Sequence, residues 1–514
     1  MSKAKNTYQP SHAVRQASKT NIATLFKDIA NQNPDNVAII EGDQKTTYGE
    51  LHDRVGKLVG GLIDEGLVHG DRVALIARNC TAHLEIELAC AELGLILVSL
   101  NWRLAKEEIS HCLQLTEPKL VFSAIEFQEV LPNSSEIRNI LFHTEYENLI
   151  RKSSIKEYES QVDAEDGLVI IFTSGTTGLP KGALISHRAL ITRALIFASE
   201  THAPKNDTFI AWSPLFHMGS NDFSIATLIN GGQVVIIDGY NAKEMIKTIE
   251  TYSVHYLTVV PGMIEDFVSQ LKTAKSKPKP IGLIGAMADL VPRPLLKEIT
   301  TLLNAPYWNT FGSTETGNPP ASANLVSIGT APESLPKKQN NFCEIRLVDP
   351  DDNDVPDGEP GELAIRGPSL FSGYWANEDA NEEAFRNGWF HMGDVFRRTP
   401  DGLLEFVDRV KYMIKSGGEN IYPAEIEKHI ISDSRVIDVA VVRKPDEKWG
   451  EIPVAFVACN TDQIKNTDII DLCRDKIANY KLPKEVFFIE SDDIPRNFSG
   501  KIQRHILEQQ LTSA

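Results

Sequence analysis

The chain has 514 residues, which is too long for one hydrophobic core, so we expect several domains or subdomains. Apolar, charged and aromatic residues contribute 42%, 24% and 8%, the proportions of an ordinary globular protein. Lysine and arginine number 52 against 70 acidic residues, and the formal net charge of −18 argues against a nucleic-acid or anionic-membrane partner. An anionic ligand must therefore be bound by local lysines and backbone amides.

The six cysteines are scattered without a CxxC pair, which is typical of free thiols in a reducing, cytoplasmic compartment. Residues 1–20 are polar and are predicted to form a flexible N-terminal arm. Its basic residues, Lys3, Lys5, Arg15 and Lys19, faintly resemble a transit peptide. No apolar run in the sequence approaches the length of a transmembrane helix, so we expect no membrane-spanning segment.

From residue 22 onward, helical patterns alternate with short apolar runs. Helices are predicted at 22–29, 50–65, 81–93, 106–115, 242–252 and 262–272. Strands are predicted at 72–77, 95–100, 234–237 and 256–260, the last of them ended by Pro261. Strands that alternate with amphipathic helices predict a largely parallel α/β layer structure.

A phosphate-binding segment is predicted directly after an apolar strand at 168–172. It comprises Thr173, Ser174, Gly175, Thr176, Thr177, Gly178, Leu179, Pro180, Lys181 and Gly182. The glycines let backbone N–H groups approach a ligand closely, and the hydroxyls and one lysine add donors without an opposing acid. The segment is not the standard P-loop, in which Ser or Thr follows the lysine. A flexible linker is the alternative, but a linker needs neither the strand nor the lysine.

Residues 173–182 resemble the phosphate-loop signature of the adenylate-forming superfamily, which includes acyl-CoA synthetases, adenylation domains of peptide synthetases and beetle luciferases. The resemblance implies an α/β fold with a large N-terminal AMP-binding domain of layered α/β subdomains (21–409). It also implies a small β-barrel within that domain (about 328–409), a hinge with a Gly-rich loop (410–420) and a small, mobile α+β C-terminal lid domain (421–514).

The motif around His217 places one histidine at the end of an apolar strand. A lone histidine is more often a packed or surface residue than a functional one. The resemblance implies that His217 borders the acyl-carboxylate site, and that Ser220, Asn221 and Asp222 make part of the acyl pocket polar. Farther along, a strand at 281–284 runs into Gly285 and Ala286, which the resemblance assigns to one wall of an adenine slot. An ordinary strand-ending glycine is the alternative there.

The second strong motif is Trp308, Asn309, Thr310, Phe311, Gly312, Ser313, Thr314, Glu315 and Thr316. A glycine-centred turn with hydroxyls and one carboxylate suits a magnesium ion that bridges phosphates. By resemblance, Glu315 holds magnesium and Thr314 holds a phosphate oxygen. Asn309 is expected to face the adenine amino group, and Phe311 to stack on the ring beside Gly312.

The C-terminal part carries the remaining motifs. The resemblance makes Asp394 the ribose-binding carboxylate and Arg409 a second ribose contact, although either alone would be an ordinary surface charge. Lys411 matches the family's hinge position. The loop residues Gly417 and Gly418 match the loop that lines the pantetheine tunnel of acyl-CoA synthetases, or form a plain interdomain linker. Lys501 matches the lysine that reaches the α-phosphate during adenylation.

The motifs together predict an acid–thiol ligase that uses ATP and Mg²⁺ to convert a fatty, aryl or alicyclic acid to an acyl-adenylate and then transfers it to coenzyme A. The expected catalytic residues are Lys181, His217, Glu315 and Lys501. A stand-alone ligase that loads a carrier protein is one alternative, and a catalytically inactive nucleotide-binding relative is another. The intact motif residues argue against the inactive relative. The sequence leaves the oligomeric state open, a homodimer included.

Overall fold

The computed structural model of the protein describes residues 14, 17–132, 137–156, 158, 160–173, 179–274, 277–417, 419–461, 464–474, 476–496 and 502–513. The chain divides into two compact units. The first consists of Met1–Glu344 and Arg366–Glu383, and the second of Ile345–Ile365 and Ala384–Ala514. The domain boundaries expected from the sequence, with a hinge at 410–420, stay predictions.

The helices and strands up to residue 273 follow in this order: α1 (Ile22–Gln32), β1 (Val37–Glu41), β2 (Gln44–Thr47), α2 (Tyr48–Asp64), β3 (Arg72–Ile76), α3 (Thr81–Leu93), β4 (Ile96–Ser99), α4 (Lys106–Thr116), β5 (Leu120–Ser123), β6 (Arg138–Leu141), α5 (Glu145–Lys152), β7 (Gly167–Thr173), β8 (Lys181–Ser186), α6 (His187–Thr201), β9 (Thr208–Ala211), α7 (Met218–Ile229), β10 (Gln233–Ile236), α8 (Ala242–Thr251), β11 (Val254–Leu257) and α9 (Pro261–Lys272).

The remaining elements are β12 (Ile281–Ile284), α10 (Arg293–Leu303), β13 (Tyr307–Trp308), β14 (Gly312–Ser313), β15 (Gly317–Pro320), β16 (Leu325–Val326), β17 (Glu344–Val348), β18 (Pro360–Arg366), α11 (Glu378–Ala384), β19 (Phe390–Arg398), β20 (Leu404–Arg409), β21 (Ile414–Ser416), β22 (Glu419–Ile421), α12 (Pro423–Ile430), β23 (Val436–Asp446), β24 (Gly450–Cys459), α13 (Asn466–Cys473), β25 (Glu485–Phe488) and α14 (Arg504–Ser513).

The largest sheet of the first unit has the strand order β6-β5-β3-β4-β7-β8. Strands β3 to β7 run parallel because helices such as α3 and α4 connect them, whereas β8 runs antiparallel to β7. Residues 168–171 of β7 are at most 1% exposed, which confirms the strand predicted there as buried on both faces. The predicted α/β layer structure is therefore present.

Two further sheets complete the first unit, together with the hairpin β14–β15. Their strand orders are β2-β1-β10-β9 and β11-β12-β13-β16, and most of their pairs are parallel. The strand predicted at 256–260 ends earlier, at Leu257, and the prediction that Pro261 terminates it is wrong. Pro261 is instead the first residue of α9, a position where the missing N–H of proline leaves no hydrogen bond unmade.

The second unit contains the antiparallel elements. Strands β17-β18-β19-β20 form one sheet where the sequence predicted a barrel-like part, and the pairs β18–β19 and β19–β20 are antiparallel. The other sheet has the order β22-β21-β24-β23, with β25 added parallel to β24. Helices α12 and α13 pack on this sheet through a buried apolar cluster that includes Ile426, Val439 and Ile469. None of the helices in the described part of the chain combines the length and the apolarity that a membrane crossing requires.

A buried polar network joins three helices of the first unit. Glu87 on α3 is fully buried, and Nδ2 of Asn221 on α7 donates to its Oε2 at 2.6 Å. Beside it, Nη1 of Arg193 on α6 donates to Oδ2 of Asp222 at 2.9 Å. Burial raises the pKa of Glu87 to about 8, the hydrogen bond from Asn221 lowers this pKa and the charge of Asp222 raises it. The Glu87 side chain is therefore neutral over much of the neutral pH range.

The pKa of Glu87 makes a prediction about stability against pH. An unfolded glutamate titrates near pH ~4.3, so between that value and pH 8 the folded chain binds a proton that the unfolded chain has released. The free energy of unfolding must then fall as the pH rises through this window, by up to about 1.4 kcal/mol for each pH unit. Glu87→Gln removes the titration and keeps an acceptor for Asn221. We expect the variant to gain stability over the wild type progressively between pH ~4.3 and about 8, and the difference to level off above that pH.

Denaturant unfolding at several pH values measures this difference. The control is Glu107→Gln, which changes an exposed glutamate on α4 and should parallel the wild type at every pH. A constant difference between Glu87→Gln and the wild type across the whole range would contradict the assignment of a neutral, buried Glu87.

Candidate active site

Strands β7 and β8 form the hairpin that carries the predicted phosphate-binding segment. Thr173, the last residue of β7, pairs with Lys181, the first residue of β8. The structure therefore brings together the two ends of the segment. Ser174, Gly175, Thr176, Thr177 and Gly178 lie outside the described residues, and their predicted contacts with phosphates stay predictions.

A distant segment, residues 372–375, lies alongside β8. Leu184 accepts a backbone hydrogen bond from Ser372 at 2.7 Å and donates one to Gly373 at 3.0 Å. Tyr374 forms an antiparallel bridge with the same strand. This pairing fixes the Tyr374 side chain next to the start of β8.

Tyr374 connects two predicted catalytic residues. Nζ of Lys181 lies 5.3 Å from the centre of the Tyr374 ring, within the range of a cation–π interaction. The Tyr374 hydroxyl donates to Oε1 of Glu315 at 2.9 Å. Sequence reasoning missed Tyr374, although its Gly-Tyr-Trp context is an aromatic cluster next to a glycine in a loop region. Lys181, Tyr374 and Glu315 form a single cluster, which we call the phosphate-side cluster.

The hairpin β14–β15 positions Glu315. Gly312 pairs with Pro320 across this hairpin, and a Cβ at Gly312 would lie 1.9 Å from the carbonyl oxygen of Gly317. Only glycine therefore allows the two strands to approach this closely. The carbonyl of Glu315 accepts from the N–H of Phe371 at 2.8 Å, which connects the hairpin to the segment that carries Tyr374.

Arg193 supports the same hairpin from beneath. It is 5% exposed, and its Nη2 donates to the carbonyl oxygen of Thr314 at 3.1 Å. Its Nε donates to the carbonyl oxygen of Ser369 at 3.0 Å, while Asp222 pairs with Nη1. Because Arg193 binds both segments, the spacing between Thr314 and the 369–375 region is fixed from inside the protein.

The predicted magnesium site rests on one carboxylate. In the part of the chain that the structure describes, no group of three or more His, Cys, Asp or Glu side chains could enclose a metal ion. Mg²⁺ is commonly bound by one or two carboxylates together with waters and substrate phosphates, rather than by a full protein cage. Glu315, oriented by Tyr374 and preceded by Thr314, fits such a site.

The turn after β12 contains Gly285 and Ala286, which are predicted to form one wall of an adenine slot. Gly285 has φ +85°, and a Cβ there would overlap the Tyr307 ring at 2.0 Å, so both the backbone and the space require glycine. The Tyr307 hydroxyl donates to the carbonyl oxygen of Ala286 at 2.8 Å. The N–H of Met287 donates to Oγ1 of Thr310 at 3.0 Å, which joins this turn to the segment that carries Asn309 and Phe311.

Asn309 and Phe311 differ in exposure. Phe311 is half-buried, and its N–H donates to Oγ of Ser322 at 2.7 Å. Asn309 is fully buried, its Nδ2 donates to the carbonyl oxygens of Leu335 and Pro336 at 3.2 Å each, and its Oδ1 accepts from Lys337. The Asn309 amide therefore makes protein contacts on both of its ends.

His217 lies at the start of α7. It is exposed, and its Nδ1 accepts from the N–H of Gly219 at 3.1 Å, so the ring caps the helix. The side chain of Asn79 holds the chain in front of it, because its Oδ1 accepts from Leu215 at 2.8 Å and its Nδ2 donates to the carbonyl oxygen of Ser213 at 2.8 Å. Sequence reasoning did not identify Asn79, whose partners are more than 130 residues away.

A small cavity lies beside α7, the helix that His217 caps. Three aromatic side chains, Phe197, Phe223 and Trp308, line it together with Arg193 and Asp222. The ring centres of Phe197 and Phe223 are 5.0 Å apart, and those of Phe197 and Trp308 are 5.4 Å apart. The wall of the cavity therefore contains aromatic, polar and charged side chains.

The second unit contains the two predicted ribose contacts. Asp394 on β19 pairs directly with Arg409 on β20. The Arg409 side chain donates from Nε to Oδ1 at 2.7 Å and from Nη2 to Oδ2 at 3.0 Å, a bidentate ion pair, and Asp394 is 4% exposed. The structure brings these two residues together, as a shared site requires.

The predicted hinge and loop also lie in the second unit. Lys411 is exposed, with its Nζ 4.9 Å from the centre of the Tyr412 ring. Strands β21 and β22 form a hairpin around Gly417, whose N–H donates to the carbonyl oxygen of Trp449 at 2.8 Å. Gly418 lies outside the described residues.

Lys501 also lies outside the described residues. Arg496 and Ile502, the described residues on either side of it, form an antiparallel bridge. Arg504 donates from Nη2 to both carboxylate oxygens of Glu427 at 2.7 and 2.8 Å. The role of Lys501 at the α-phosphate stays a prediction.

Two family models match the chain. The model described as AMP-binding enzyme matches residues 26–375, and the model described as AMP-binding enzyme C-terminal domain matches residues 425–501. The chain belongs to the AMP-binding enzyme family. The predicted resemblance to adenylate-forming enzymes is thereby confirmed.

Similar proteins include a 2-succinylbenzoate–CoA ligase of Bacillus cereus, 30% identical over 93% of this chain and 96% of that protein. Among solved structures, o-succinylbenzoate CoA synthetase (MenE) of Bacillus subtilis is 26% identical, with a TM-score of 0.80 over 96% of this chain and 98% of that one. A fatty acyl CoA synthetase of Mycobacterium tuberculosis is 27% identical, with a TM-score of 0.77 over the same shares. The predicted α/β fold and the predicted ligase class agree with these relatives.

The phosphate-side cluster makes a prediction about magnesium. Tyr374→Phe keeps the ring beside Lys181 but removes the hydroxyl that orients Glu315. Losing such a supporting hydrogen bond typically weakens a metal site at least ~tenfold, so we expect the Mg²⁺ concentration for half-maximal ATP turnover to rise by about that factor. The matched control is Tyr240→Phe, which removes a hydroxyl that donates to Oδ2 of Asp266 at 2.7 Å on the surface. Identical Mg²⁺ curves for the two variants would contradict the role of Tyr374.

Proposed function

We propose that this protein is an AMP-forming acyl-CoA synthetase. A carboxylate oxygen attacks the α-phosphorus of ATP, the bond to the pyrophosphate oxygen breaks and pyrophosphate leaves. The thiol sulfur of coenzyme A then attacks the carbonyl carbon of the acyl-adenylate, and AMP leaves as the thioester forms. The observation that carries the proposal is the phosphate-side cluster in a chain of the AMP-binding enzyme family, because it supplies a cation and an oriented carboxylate at the end of a predicted phosphate-binding segment.

The first half-reaction joins two anions, so its barrier is largely electrostatic. Backbone N–H groups and hydroxyls of residues 173–178, with the Lys181 ammonium, offset the phosphate charge. Glu315 and Thr314 hold a magnesium ion and a phosphate oxygen, and Mg²⁺ when bound neutralises charge on the phosphates. A relative, MenE of Bacillus subtilis, is described in complex with ATP and a magnesium ion. In a protein of net charge −18 these local groups are needed to attract ATP at all.

Two sets of residues are assigned to the nucleoside. Gly285 and Ala286 with Phe311 and Gly312 enclose the adenine ring. Asn309 supports the wall of this slot through its buried amide, which hydrogen-bonds to Leu335, Pro336 and Lys337. Asp394 accepts hydrogen bonds from the ribose hydroxyls, and its bidentate ion pair with Arg409 orients the carboxylate for them.

The second half-reaction uses coenzyme A rather than a carrier protein, and the naming of the relatives as CoA ligases supports this choice. Lys501 stabilises the α-phosphate in the first step and leaves in the second. The C-terminal domain turns about Lys411 between the steps, which brings Gly417 and Gly418 to the pantetheine passage. A reducing, cytoplasmic setting is supported by six cysteines that are all free thiols. A homodimer stays a prediction.

The acid is an aryl acid that carries a second polar group. The naming of relatives as 2-succinylbenzoate–CoA ligase and o-succinylbenzoate CoA synthetase supports this choice. His217 is assigned to the carboxylate end of the acyl site.

A carboxylate panel tests this function. Pyrophosphate release and CoA-thioester formation are measured with ATP, Mg²⁺ and either substituted benzoic acids, 2-succinylbenzoate among them, or short, medium and long saturated fatty acids. We expect the highest kcat/KM with an aryl acid, and thioester only when coenzyme A is present. A medium or long fatty acid as the best substrate would contradict the aryl assignment. If none of the acids in the panel supports pyrophosphate release, the proposed function itself is contradicted.

Lys501→Ala is the informative variant in this assay. It should lose acyl-adenylate formation by about 100-fold or more but still form thioester from supplied acyl-AMP, because its ammonium acts in the first step alone. Lys476→Ala, which alters an exposed lysine of the same domain, is the matched control and should behave as the wild type. Equal loss of both steps in Lys501→Ala would contradict the proposed division between them.

A further inference from the structure

Lys337 is a lysine in an unusual environment. Its side chain is fully buried, whereas the neighbouring Lys338 is exposed. Lysine is almost never fully buried unless it is paired, because an ammonium group loses its hydration on burial. Burial lowers the pKa of Lys337, and the Asp289 carboxylate acts in the opposite direction. No pattern in the sequence distinguishes the two adjacent lysines.

The Lys337 ammonium makes three hydrogen bonds, one for each of its hydrogens. It donates to Oδ2 of Asp289, to Oδ1 of Asn309 and, at 3.3 Å, to the carbonyl oxygen of Thr310. The first partner lies in the turn after β12, and the other two lie in the segment after β13. One buried cation therefore connects the two segments that the proposed function assigns to the walls of the adenine slot.

The surrounding contacts hold the amide of Asn309 in one orientation. An ammonium group can only donate, and the carbonyl oxygens of Leu335 and Pro336 can only accept. The amide oxygen must therefore face Lys337 while Nδ2 faces the two carbonyls, at 3.2 Å each. Without the ammonium, the amide oxygen would lose its donor, and only the two carbonyl oxygens would still orient the amide.

A second contact carries the same constraint to the slot itself. Thr310, whose carbonyl oxygen accepts from Lys337, also accepts at Oγ1 from the N–H of Met287 at 3.0 Å. Met287 follows directly on Gly285 and Ala286, the residues assigned to the slot wall, and has a left-handed backbone with φ +49°. The distance between the two walls is thus set by hydrogen bonds that converge on Thr310.

We propose that Lys337 is a positioning residue that sets the width of the purine slot and so confers affinity for the purine base of the nucleotide. This inference rests on the proposed function for the location of the slot. A purine is bound by stacking between two walls, and stacking is sensitive to their spacing. The phosphates are bound elsewhere, at residues 173–181 and Glu315, so loss of Lys337 should weaken base binding and leave phosphate binding intact.

The test is equilibrium binding of Mg-ATP and Mg-UTP by titration calorimetry, without any carboxylic acid. UTP shares the ribose and triphosphate of ATP but has a smaller, single-ring base. We expect the wild type to bind ATP more tightly than UTP. Lys337→Met should weaken ATP binding about tenfold and change UTP binding by less than about twofold, as the loss of a charged hydrogen-bond network implies. The matched control, Lys338→Met, should bind both nucleotides as the wild type does.

A second variant keeps the inference testable if Lys337→Met does not fold. Asp289→Asn retains the lysine and weakens one of its three bonds, at a side chain that is 38% exposed, so folding should survive. We expect it to weaken ATP binding in the same direction, about threefold, with UTP unchanged. Equal weakening of ATP and UTP, unchanged binding of ATP, or a wild type without a preference for ATP would each overturn the proposal.

The outcomes also separate this inference from the proposed function. A purine preference that depends on Lys337, in a protein that forms no AMP with any acid, would support the inference and refute the synthetase assignment. Acid-dependent AMP formation with a purine preference that is insensitive to Lys337 would support the synthetase assignment and refute the inference.

Discussion

The pairing of strand β8 with residues 372–375 is the contact on which the candidate site depends. Strand β8 begins at Lys181, and the paired segment carries Tyr374, so the pairing places an aromatic hydroxyl beside the lysine. The same hydroxyl orients Glu315, which comes from a third part of the chain. A cation and an anion are thereby held close together without neutralising each other in a direct ion pair. This separation leaves the lysine and the carboxylate available for their proposed roles, the lysine at phosphate oxygens and the carboxylate at magnesium.

Two buried cations of the first unit each hold a functional segment in place. Arg193, paired with Asp222, holds the carbonyl oxygens of Thr314 and Ser369, and Lys337 holds Asn309 and Thr310. Burying a cation costs free energy unless its donors are hydrogen-bonded. Each side-chain nitrogen of Arg193 and Lys337 donates to at least one partner. Their value to the protein is therefore better explained by positioning than by stability, since apolar pairs of equal volume commonly stabilise a core as well.

Local patterns in the sequence were sufficient to predict the layered α/β fold. The predicted helix 81–93 is found as Thr81–Leu93, and the strand at 168–172 as Gly167–Thr173, because periodicity and apolar runs report directly on burial. Pro261 was assigned to the wrong element, since proline is equally acceptable after a strand and in the first turn of a helix.

The motif residues were found because their chemistry is concentrated in short segments. Tyr374 and Lys337 were missed because their partners lie 59 and 48 residues away, and no spacing rule connects them. For Lys337 the general expectation that lysine side chains are exposed is also misleading, because adjacent lysines are normally both solvated.

The central claim is that the carboxylic acid is activated as a mixed anhydride with AMP. An oxygen of the carboxylate then becomes the bridging oxygen of the acyl-adenylate, and it stays with AMP when the thiol attacks the carbonyl carbon. The most direct measurement is turnover of an acid labelled with oxygen-18 in its carboxylate, with mass spectrometry of the nucleotide and phosphate products. The account predicts one labelled oxygen in AMP and none in pyrophosphate. Unlabelled AMP, or label in inorganic phosphate formed together with ADP, would contradict it.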